Sequence, residues 1–366
     1  MRSFRISLHA LLLSIPVCLP VIAEEVKEKT ITWHDVDSWG VEGQGWDPID
    51  LKARYDRLPS KAEGVVRDAV WNLARHSSGI SFRFNTDATE ITLSYEVGSP
   101  SLGMTNMPPT GKSGIDLYAF DEGKWKWVDV TRPTEAKTKH TIKGLDPGMR
   151  TYMAYLPLYN TTKFVKVGVS PEATFEPVAP REEKPIVFYG TSITHGASAS
   201  RPGMTHPAIL GRRLDTPIVN LGFSGNGRME PEVGSLVAEV DAAVYVIDCL
   251  PNMDGASVEE RAGPLVRQIR KIRPDTPILL VEDRTFTNAW IFKSRRDRHE
   301  GNRAALIRAF DSLVSSGVKS LFYLEGDHLL GDDNEGATDG SHPSDLGFMR
   351  QADAFEPVLK KALKLN

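Results

Sequence analysis

The chain has 366 residues, of which 40% are hydrophobic and 25% are charged, and its formal net charge is −4. This composition is typical of a globular chain long enough for two domains, and it excludes a largely disordered protein. The slightly acidic balance excludes the strongly basic surface that nucleic acid binding requires, so we expect no nucleic acid partner.

The N-terminus has the pattern of a secretory signal peptide. Arg2 and Arg5 precede a short apolar run over residues 11–20, and compact residues follow it. The apolar run is too short for a membrane span, and prolines interrupt it. We therefore predict that residues 1–23 are a cleaved signal peptide, that the mature protein is secreted or periplasmic, and that it has no membrane span.

Cleavage at that point removes Cys18 and leaves Cys249 as the single cysteine of the mature chain. One cysteine cannot form an internal disulfide. Because Cys249 follows the apolar run 242–248, we predict that it is a buried structural thiol.

Residues 24–170 are predicted to form an all-β, jelly-roll-like sandwich. Short runs with apolar residues at every second position alternate with proline- and glycine-containing turns. The clearest runs cover residues 80–84, 91–95, 125–130 and 165–169. Many short strands in succession favour a β-sandwich, and one helix is predicted among them over residues 62–74.

Residues 171–184 contain several charges and three prolines before the next strand, and they are predicted to be a linker. Residues 185–366 then alternate apolar runs with helical patterns. The predicted strands cover residues 186–189, 217–221, 243–248, 277–282 and 320–325. Continuous apolar strands separated by helices predict a doubly wound, flavodoxin-like α/β domain with a five-stranded parallel sheet.

Four segments of this second region carry side chains suited to nucleophilic catalysis. They are Gly-Thr-Ser-Ile-Thr-His-Gly at 190–196, Gly-Phe-Ser-Gly-Asn at 222–226, Leu-Pro-Asn at 250–252 and Asp-Gly-Ser-His-Pro at 339–343. The first three each follow a predicted strand, and the chemistry of open α/β sheets gathers at the carboxyl ends of the strands. We therefore expect the four segments to meet at one edge of the sheet.

The chain order serine, aspartate, histidine suits a serine nucleophile with an imidazole base that a carboxylate orients. Ser192 stands where a strand turns into a helix, and its alternative role is that of a helix N-cap. Thr194 occupies the position of the second glycine of a Gly-x-Ser-x-Gly elbow, so the α/β-hydrolase pattern is excluded.

Together the four segments resemble the SGNH (GDSL-type) hydrolases, a family named for Ser, Gly, Asn and His in four separate blocks. The resemblance implies that Ser192 is the nucleophile, His342 the general base and Asp339 the residue that orients it. It also implies an oxyanion hole formed by the N–H groups of Ser192 and Gly225 and by the side-chain amide of Asn252.

Alternatives remain for several of these assignments. Gly222 competes with Gly225 for the second block, and the third block lacks the acidic residue that usually follows its asparagine. His195 and His206 flank the expected cleft and are the rivals of His342 for the role of the base. We rank them below His342, as possible substrate-binding residues. Arg284, at the end of the fourth strand, is predicted either to bind substrate or to form an internal ion pair.

The segment Gly114-Ile115-Asp116-Leu117-Tyr118 resembles the Gly-x-Asp-Leu-Tyr signature of N-terminal domains that accompany one branch of the SGNH family. The two domains are expected to share one site, with residues 98–114 forming a wall of the cleft. Jelly-roll and SGNH domains together resemble carbohydrate acetylesterases. The expected partner is thus a small-molecule or polysaccharide ester.

Two rival functions stay open: a lipase, thioesterase or lysophospholipase, and a non-catalytic carbohydrate-binding protein. No metal and no other cofactor are expected, because a Ser-His-Asp triad supplies its own nucleophile and base, and no zinc-ligand spacing is found. The acidic segment 331–335 lacks EF-hand spacing and is predicted to be a solvated loop. The sequence does not indicate an oligomeric state.

Overall fold

The computed structural model of the protein describes residues 30–365. The predicted signal peptide, residues 1–23, and Cys18 lie outside the described residues. From Ile31 onward the chain forms one compact unit. Within residues 30–365, no helix combines the length and the apolar character needed to cross a membrane.

Two antiparallel sheets form a β-sandwich in the first half of the chain. The strands are β1 (Thr32–Asp35), β2 (Ser81–Thr86), β3 (Glu90–Val97), β4 (Asp116–Asp121), β5 (Lys124–Val130), β6 (Lys137–Lys143), β7 (Arg150–Tyr155), β8 (Thr162–Val169) and β9 (Phe175–Val178). One sheet has the order β1-β8-β3-β6 and the other β5-β4-β7-β2-β9. Side chains at every second position, such as Ile91, Leu93 and Tyr95 of β3, are fully buried between the sheets. The predicted sandwich is confirmed.

Two details of this half differ from the sequence-based expectation. The segment 171–184, predicted as a linker, contains β9, which pairs with β2 at the edge of a sheet where a proline is tolerated. The helix predicted over 62–74 begins at Asp68 (α1, Asp68–Ala74), because Gly64 has a φ of +75° and interrupts the helical path. A further short helix, α2 (Pro109–Lys112), precedes β4.

The second half contains a five-stranded parallel sheet with helices on both faces. Its strands are β10 (Ile186–Gly190), β11 (Ile218–Gly222), β12 (Val244–Asp248), β13 (Ile278–Val281) and β14 (Leu321–Leu324), in the order β11-β10-β12-β13-β14. Its helices are α3 (Ser192–His195), α4 (His206–Arg213), α5 (Pro231–Glu239), α6 (Gly255–Ile272), α7 (Lys293–Ser315) and α8 (Asp345–Leu363). All five predicted strands and the doubly wound fold are confirmed.

The helices divide between the two faces of the sheet. Helices α4 and α8 pack on one face, and α5, α6 and α7 pack on the other. Residues 58–74, which precede most of the sandwich in the chain, join the core on the α5–α7 face. Val70 and Trp71 of α1 therefore pack with the parallel sheet and not with the sandwich core. Cys249 is buried and free, as predicted.

The ends of three parallel strands lie at the same level. Gly190 at the end of β10 is in register with Gly222 at the end of β11 and with Asp248 at the end of β12. The strand order reverses around β10, and this switch point is where doubly wound sheets form their ligand crevice. The first three sequence blocks therefore leave the sheet side by side.

Candidate active site

The turn after β10 presents the Ser192 hydroxyl. Thr191 is the N-cap of α3 and accepts a hydrogen bond from Ile193 N at 3.2 Å. The alternative role of Ser192 as the N-cap is therefore taken by its neighbour, and its own hydroxyl is free for another partner. Gly196 ends this single turn with a φ of +109°, a backbone conformation that favours glycine.

Ser192, His342 and Asp339 form one hydrogen-bonded chain. Ser192 Oγ lies 2.8 Å from His342 Nε2, and His342 Nδ1 lies 2.7 Å from Asp339 Oδ2. A carboxylate can only accept, so Nδ1 carries the proton and Nε2 is left to accept the serine proton. The structure thus brings together the three residues that the sequence predicts as nucleophile, base and orienting carboxylate.

The Asp339 carboxylate is held ionised by the turn that contains it. Its Oδ1 accepts hydrogen bonds from His342 N at 2.8 Å and from Ser341 N at 3.0 Å. Burial tends to raise the Asp339 pKa, but the hydrogen bonds and the His342 ring outweigh it, so the pKa lies below its usual value. A negative Asp339 is the form that can stabilise an imidazolium at His342.

The second block, residues 222–226, contains two glycines with different surroundings. The Gly222 N–H already donates to Asn220 Oδ1 at 2.9 Å, and a Cβ atom on Gly222 would lie 2.2 Å from His195 N. Gly222 therefore serves close packing under the nucleophile turn. Gly225 is exposed, has a φ of +70°, and its N–H has no hydrogen-bond partner among residues 30–365. Of the two, Gly225 has the N–H that is available to a ligand.

Asn252 lies beside the same turn. Its Nδ2 donates to Phe223 O at 3.5 Å, and Phe223 O also accepts from Asn226 N and Gly227 N around Gly225. The Asn252 amide keeps a second N–H for another acceptor. Ser192 N, as the first N–H of α3, has no acceptor within its helix. The structure places each predicted oxyanion donor on one of the three aligned strand ends.

The residues ranked as possible substrate contacts do not face the site. His195 and His206 are fully buried, at 0% exposure each, so neither side chain can contact a ligand in the cleft. His195 stacks on Tyr159 and bonds to Leu158 O, and His206 packs among aromatic rings. Burial lowers the pKa of both imidazoles and keeps them neutral.

Arg284 is also buried, with 2% of its surface exposed, and it forms the internal ion pair with Asp283 that was its alternative role. Its guanidinium also donates to the side chain and the carbonyl of Ser341. Ser341 precedes His342, so Arg284 positions the turn that carries the histidine.

Support for the Asn252 turn comes from a residue that the sequence did not reveal. Asn302 of α7 is fully buried, and its Nδ2 donates to Leu250 O and Met253 O at 3.2 Å and to Asp283 Oδ2 at 3.0 Å. These bonds hold the turn in the absence of the acidic neighbour usual in the third block. Asn302 lies 50 positions away from Asn252 in a helix without a motif, so no local signal marks it.

Two side chains from the N-terminal half donate hydrogen bonds to backbone carbonyls of the site. Arg57 is 1% exposed, and its Nη1 donates to Asn220 O at 2.8 Å and to Gly222 O at 2.9 Å. The Tyr159 hydroxyl donates to Ser192 O at 3.2 Å. The Gly222 turn and the Ser192 turn therefore both rest on side chains from the first half of the chain. Neither residue belongs to a motif that the sequence could display.

Residues 98–114, predicted to form a wall of the cleft, lie against the segment that follows α3. Asn106 Nδ2 donates to Ser198 Oγ at 2.9 Å, and Thr110 Oγ1 donates to Ser200 O at 2.6 Å. A Cβ atom on Gly111 would lie 2.2 Å from Ala199 O, so the two segments are in close contact. Formation of a cleft wall stays a prediction.

The signature in β4 joins the two halves. Asp116 is fully buried and accepts hydrogen bonds from Arg201 Nη1 at 2.9 Å and Gly203 N at 2.8 Å. The Tyr118 hydroxyl bonds to the same Arg201.

Among the described residues, no group of three or more His, Cys, Asp or Glu side chains is placed to hold a metal ion.

Two family models match the chain. The GDSL-like lipase/acylhydrolase family matches residues 183–360, and the Gly-x-Asp-Leu-Tyr N-terminus of SGNH-hydrolase-type esterases matches residues 31–175. A solved structure described as a GDSL-like lipase from Bacteroides ovatus is 30% identical, with a TM-score of 0.87 over 92% of this chain and 99% of that chain. The chain belongs to the SGNH (GDSL-like) hydrolase family. Membership of this family makes it an ester hydrolase.

This SGNH hydrolase shares its fold with more distant proteins. Salicylyl-acyltransferase SsfX3 from a tetracycline biosynthetic pathway is 17% identical, with a TM-score of 0.69 over 90% of this chain and 97% of that chain. An acetyl xylan esterase from Butyrivibrio proteoclasticus is 10% identical, with a TM-score of 0.55 over 92% of this chain and 99% of that chain. Comparison with curated protein sequences gives no match.

Proposed function

We propose that the protein is a secreted or periplasmic serine esterase that removes O-acetyl groups from carbohydrates. The observation that carries the serine mechanism is the hydrogen-bonded chain from Ser192 through His342 to Asp339. The choice of an acetylated carbohydrate follows by analogy with the acetyl xylan esterase of the same fold.

In the proposed reaction, Ser192 Oγ attacks the ester carbonyl carbon while its proton passes to His342 Nε2. Asp339 stabilises the resulting imidazolium. The negative charge on the former carbonyl oxygen is stabilised by the N–H groups of Ser192 and Gly225 and by the Asn252 amide.

The tetrahedral species then breaks its bond to the alcohol, which leaves with the proton from His342. Ser192 is left acetylated. A water molecule repeats the sequence: it gives a proton to His342, attacks the acyl carbon, and releases acetic acid as Ser192 regains its proton.

The test is the release of acetate from acetylated oligosaccharides. We expect Ser192→Ala to lower kcat by about 10⁴-fold or more, because no other group can take the nucleophile's place. Ser235→Ala, which removes an exposed serine on α5, is the matched control and should leave kcat unchanged. Equal activity of the two variants would refute the assignment.

The rival functions give different results when acetate release is combined with the hydrolysis of p-nitrophenyl esters. A lipase would hydrolyse p-nitrophenyl palmitate faster than p-nitrophenyl acetate. A carbohydrate-binding protein would bind the oligosaccharide and release no acetate, with or without Ser192.

A further inference from the structure

Three consecutive apolar side chains stand exposed on the loop between β13 and α7. Trp290, Ile291 and Phe292 are 71%, 59% and 51% exposed. Single exposed apolar residues are common, but a contiguous group of this kind marks a contact surface. Residues 290–292 are called the apolar platform below.

One end of this loop is bonded to the turn that carries His342. Thr287 N donates to Gly340 O at 3.1 Å. Arg295 Nη1 donates to Asn288 Oδ1 at 2.7 Å and to Asp339 O at 3.4 Å. The apolar platform lies between these anchor points in the chain and is therefore held beside the Asp339–His342 turn.

Helix α7, which follows the loop, is bonded to the Asn252 turn. Arg298 Nη2 donates to Pro251 O at 3.0 Å and to Met253 O at 3.4 Å, on either side of Asn252. The chain from Thr287 to Arg298 thus spans the space between the Asn252 turn and the His342 turn. The apolar platform lies within this segment of the chain.

The charges and the exposed area around the platform bear on which molecule it binds. Four basic side chains follow the platform in the chain, and each has an ion-pair or hydrogen-bond partner within the protein. Lys293 forms an ion pair with Asp297. Arg295 donates a hydrogen bond to Asn288 Oδ1, Arg296 to Ala289 O and Arg298 to Pro251 O. Three side chains also present far less surface than the roughly 800 Å² that each partner buries in a stable protein dimer.

We propose that the apolar platform is the binding surface for the sugar chain that carries the acetyl group. This rests on the proposed function, in which the alcohol leaves with the proton of His342 and must therefore lie on the His342 side of the site. The C–H face of a pyranose ring is flat and apolar and packs on an indole ring, while its hydroxyls stay in water. Ile291 and Phe292 extend that surface toward further sugar units.

The kinetic test compares esters with large and small alcohols: acetylated xylotetraose and cellotetraose against ethyl acetate. Trp290→Ala should lower kcat/KM for the tetrasaccharides about tenfold or more, through KM, and change ethyl acetate hydrolysis by less than about twofold. Trp290→Phe should retain most of the tetrasaccharide activity and Trp290→Leu should not, because a flat ring is required. Trp33→Ala, an exposed tryptophan on β1, is the control and should change neither.

A binding measurement separates this proposal from the proposed function. In the Ser192→Ala background, calorimetry should show about tenfold weaker binding of the acetylated tetrasaccharides when Trp290 is also replaced by alanine. If the protein releases no acetate but this difference is found, the esterase assignment fails and the platform stands.

The proposal itself is overturned in any of three cases. Trp290→Ala could leave both tetrasaccharides unaffected, or it could lower ethyl acetate and tetrasaccharide hydrolysis equally. The third case is that the change abolishes self-association or sedimentation with phosphatidylglycerol vesicles instead of sugar binding, which would assign the platform to a second copy of the chain or to a lipid surface.

Discussion

The Asn252 amide is the side-chain donor of the proposed oxyanion hole. One of its N–H groups is bonded to Phe223 O, and the other can meet the oxygen that becomes negative during attack. Asn252→Ala removes this donor, and we expect kcat on phenyl acetate to fall about a hundredfold or more, with a much smaller change in KM.

The backbone of the Asn252 turn should persist in that variant, because Asn302 bonds to carbonyls at both of its ends. Asn72→Ala, on the exposed side of α1, is the matched control. A kcat equal to that of the unaltered enzyme would mean that the third block has been misassigned.

Asp248, at the end of β12, is a buried carboxyl that should titrate between acidic and neutral pH. Burial raises its pKa to about 7, although a hydrogen bond from Thr194 Oγ1 at 3.0 Å opposes the shift. Because the folded pKa lies above the unfolded value, the folded state binds more protons between about pH 4 and pH 7. The free energy of unfolding should therefore fall as pH rises through this window.

Asp248→Asn keeps an acceptor for Thr194 and removes the titration. Relative to this variant, the unaltered protein should lose on the order of 4 kcal/mol of stability from pH 4 to pH 7, as measured by chemical denaturation. Parallel stability curves for the two proteins across that range would show that Asp248 stays ionised when folded.

At the scale of elements, strand β4 carries the signature that connects the sandwich to the hydrolase fold. Asp116→Ala would leave Arg201, Gly203 N and Trp127 Nε1 without their acceptor. Removing one partner of a buried ion pair costs about 3–5 kcal/mol, and we expect a loss of that size in urea unfolding. Asp121→Ala, on the same strand and more exposed, should cost far less.

A double-mutant cycle identifies the interaction responsible. If Asp116 acts by pairing with Arg201, the loss in the double alanine variant should be smaller than the sum of the two single losses. Additive losses would mean that the signature stabilises β4 alone.

The sequence predicted elements well where one local pattern determined them. The five parallel strands are continuous apolar runs, because helices cover both of their faces. Strand β9 escaped prediction because Pro177 and its charged neighbours suit an edge as well as a linker. The start of α1 was missed because the backbone of Gly64 interrupts the helix, a feature that apolar spacing does not report.

In the candidate site too, the residues that could be predicted are those that lie in a local motif. Ser192 and Asn252 lie in short motifs at strand ends, and Asp339 and His342 lie in a short motif before α8, so their meeting at one sheet edge could be predicted. The inward orientation of His195 could not, because its neighbours in the chain are the same whether it faces the cleft or the core. Contacts such as those of Asn302 depend on packing between segments far apart in the sequence.

At the scale of the whole molecule, the two halves share a core, and side chains of the first half contact two turns of the candidate site. Residues 58–74 pack with α5, α6 and α7, and Arg57, which directly precedes them, donates to the Gly222 carbonyl. Burial lowers the Arg57 pKa to about 9, which leaves the side chain charged near neutral pH. Its N–H groups go to four backbone carbonyls, of Leu73, His76, Asn220 and Gly222.

Arg57 should therefore act as a positioning residue for the second block of the site. Arg57→Met leaves the Asn220 and Gly222 carbonyls buried without donors, so the turn before Gly225 should lose its fixed position. We expect kcat on phenyl acetate to fall about tenfold or more, with KM within about threefold, in protein shown to be folded by circular dichroism. Arg57→Lys keeps the charge and some of the bonds, and it should restore part of kcat.

The control for this prediction is Arg54→Met, because Arg54 lies in the same segment and bonds only to Gln44 and Asp37 among the described residues. It should change stability slightly and leave kcat unaltered. If Arg57→Met lowers stability but keeps the full kcat, the first half of the chain supports the fold of the hydrolase without arranging its site. A fall in kcat that Arg57→Lys partly reverses would instead make the first half part of the catalytic unit, since the oxyanion turn would then depend on a side chain that lies outside the α/β region.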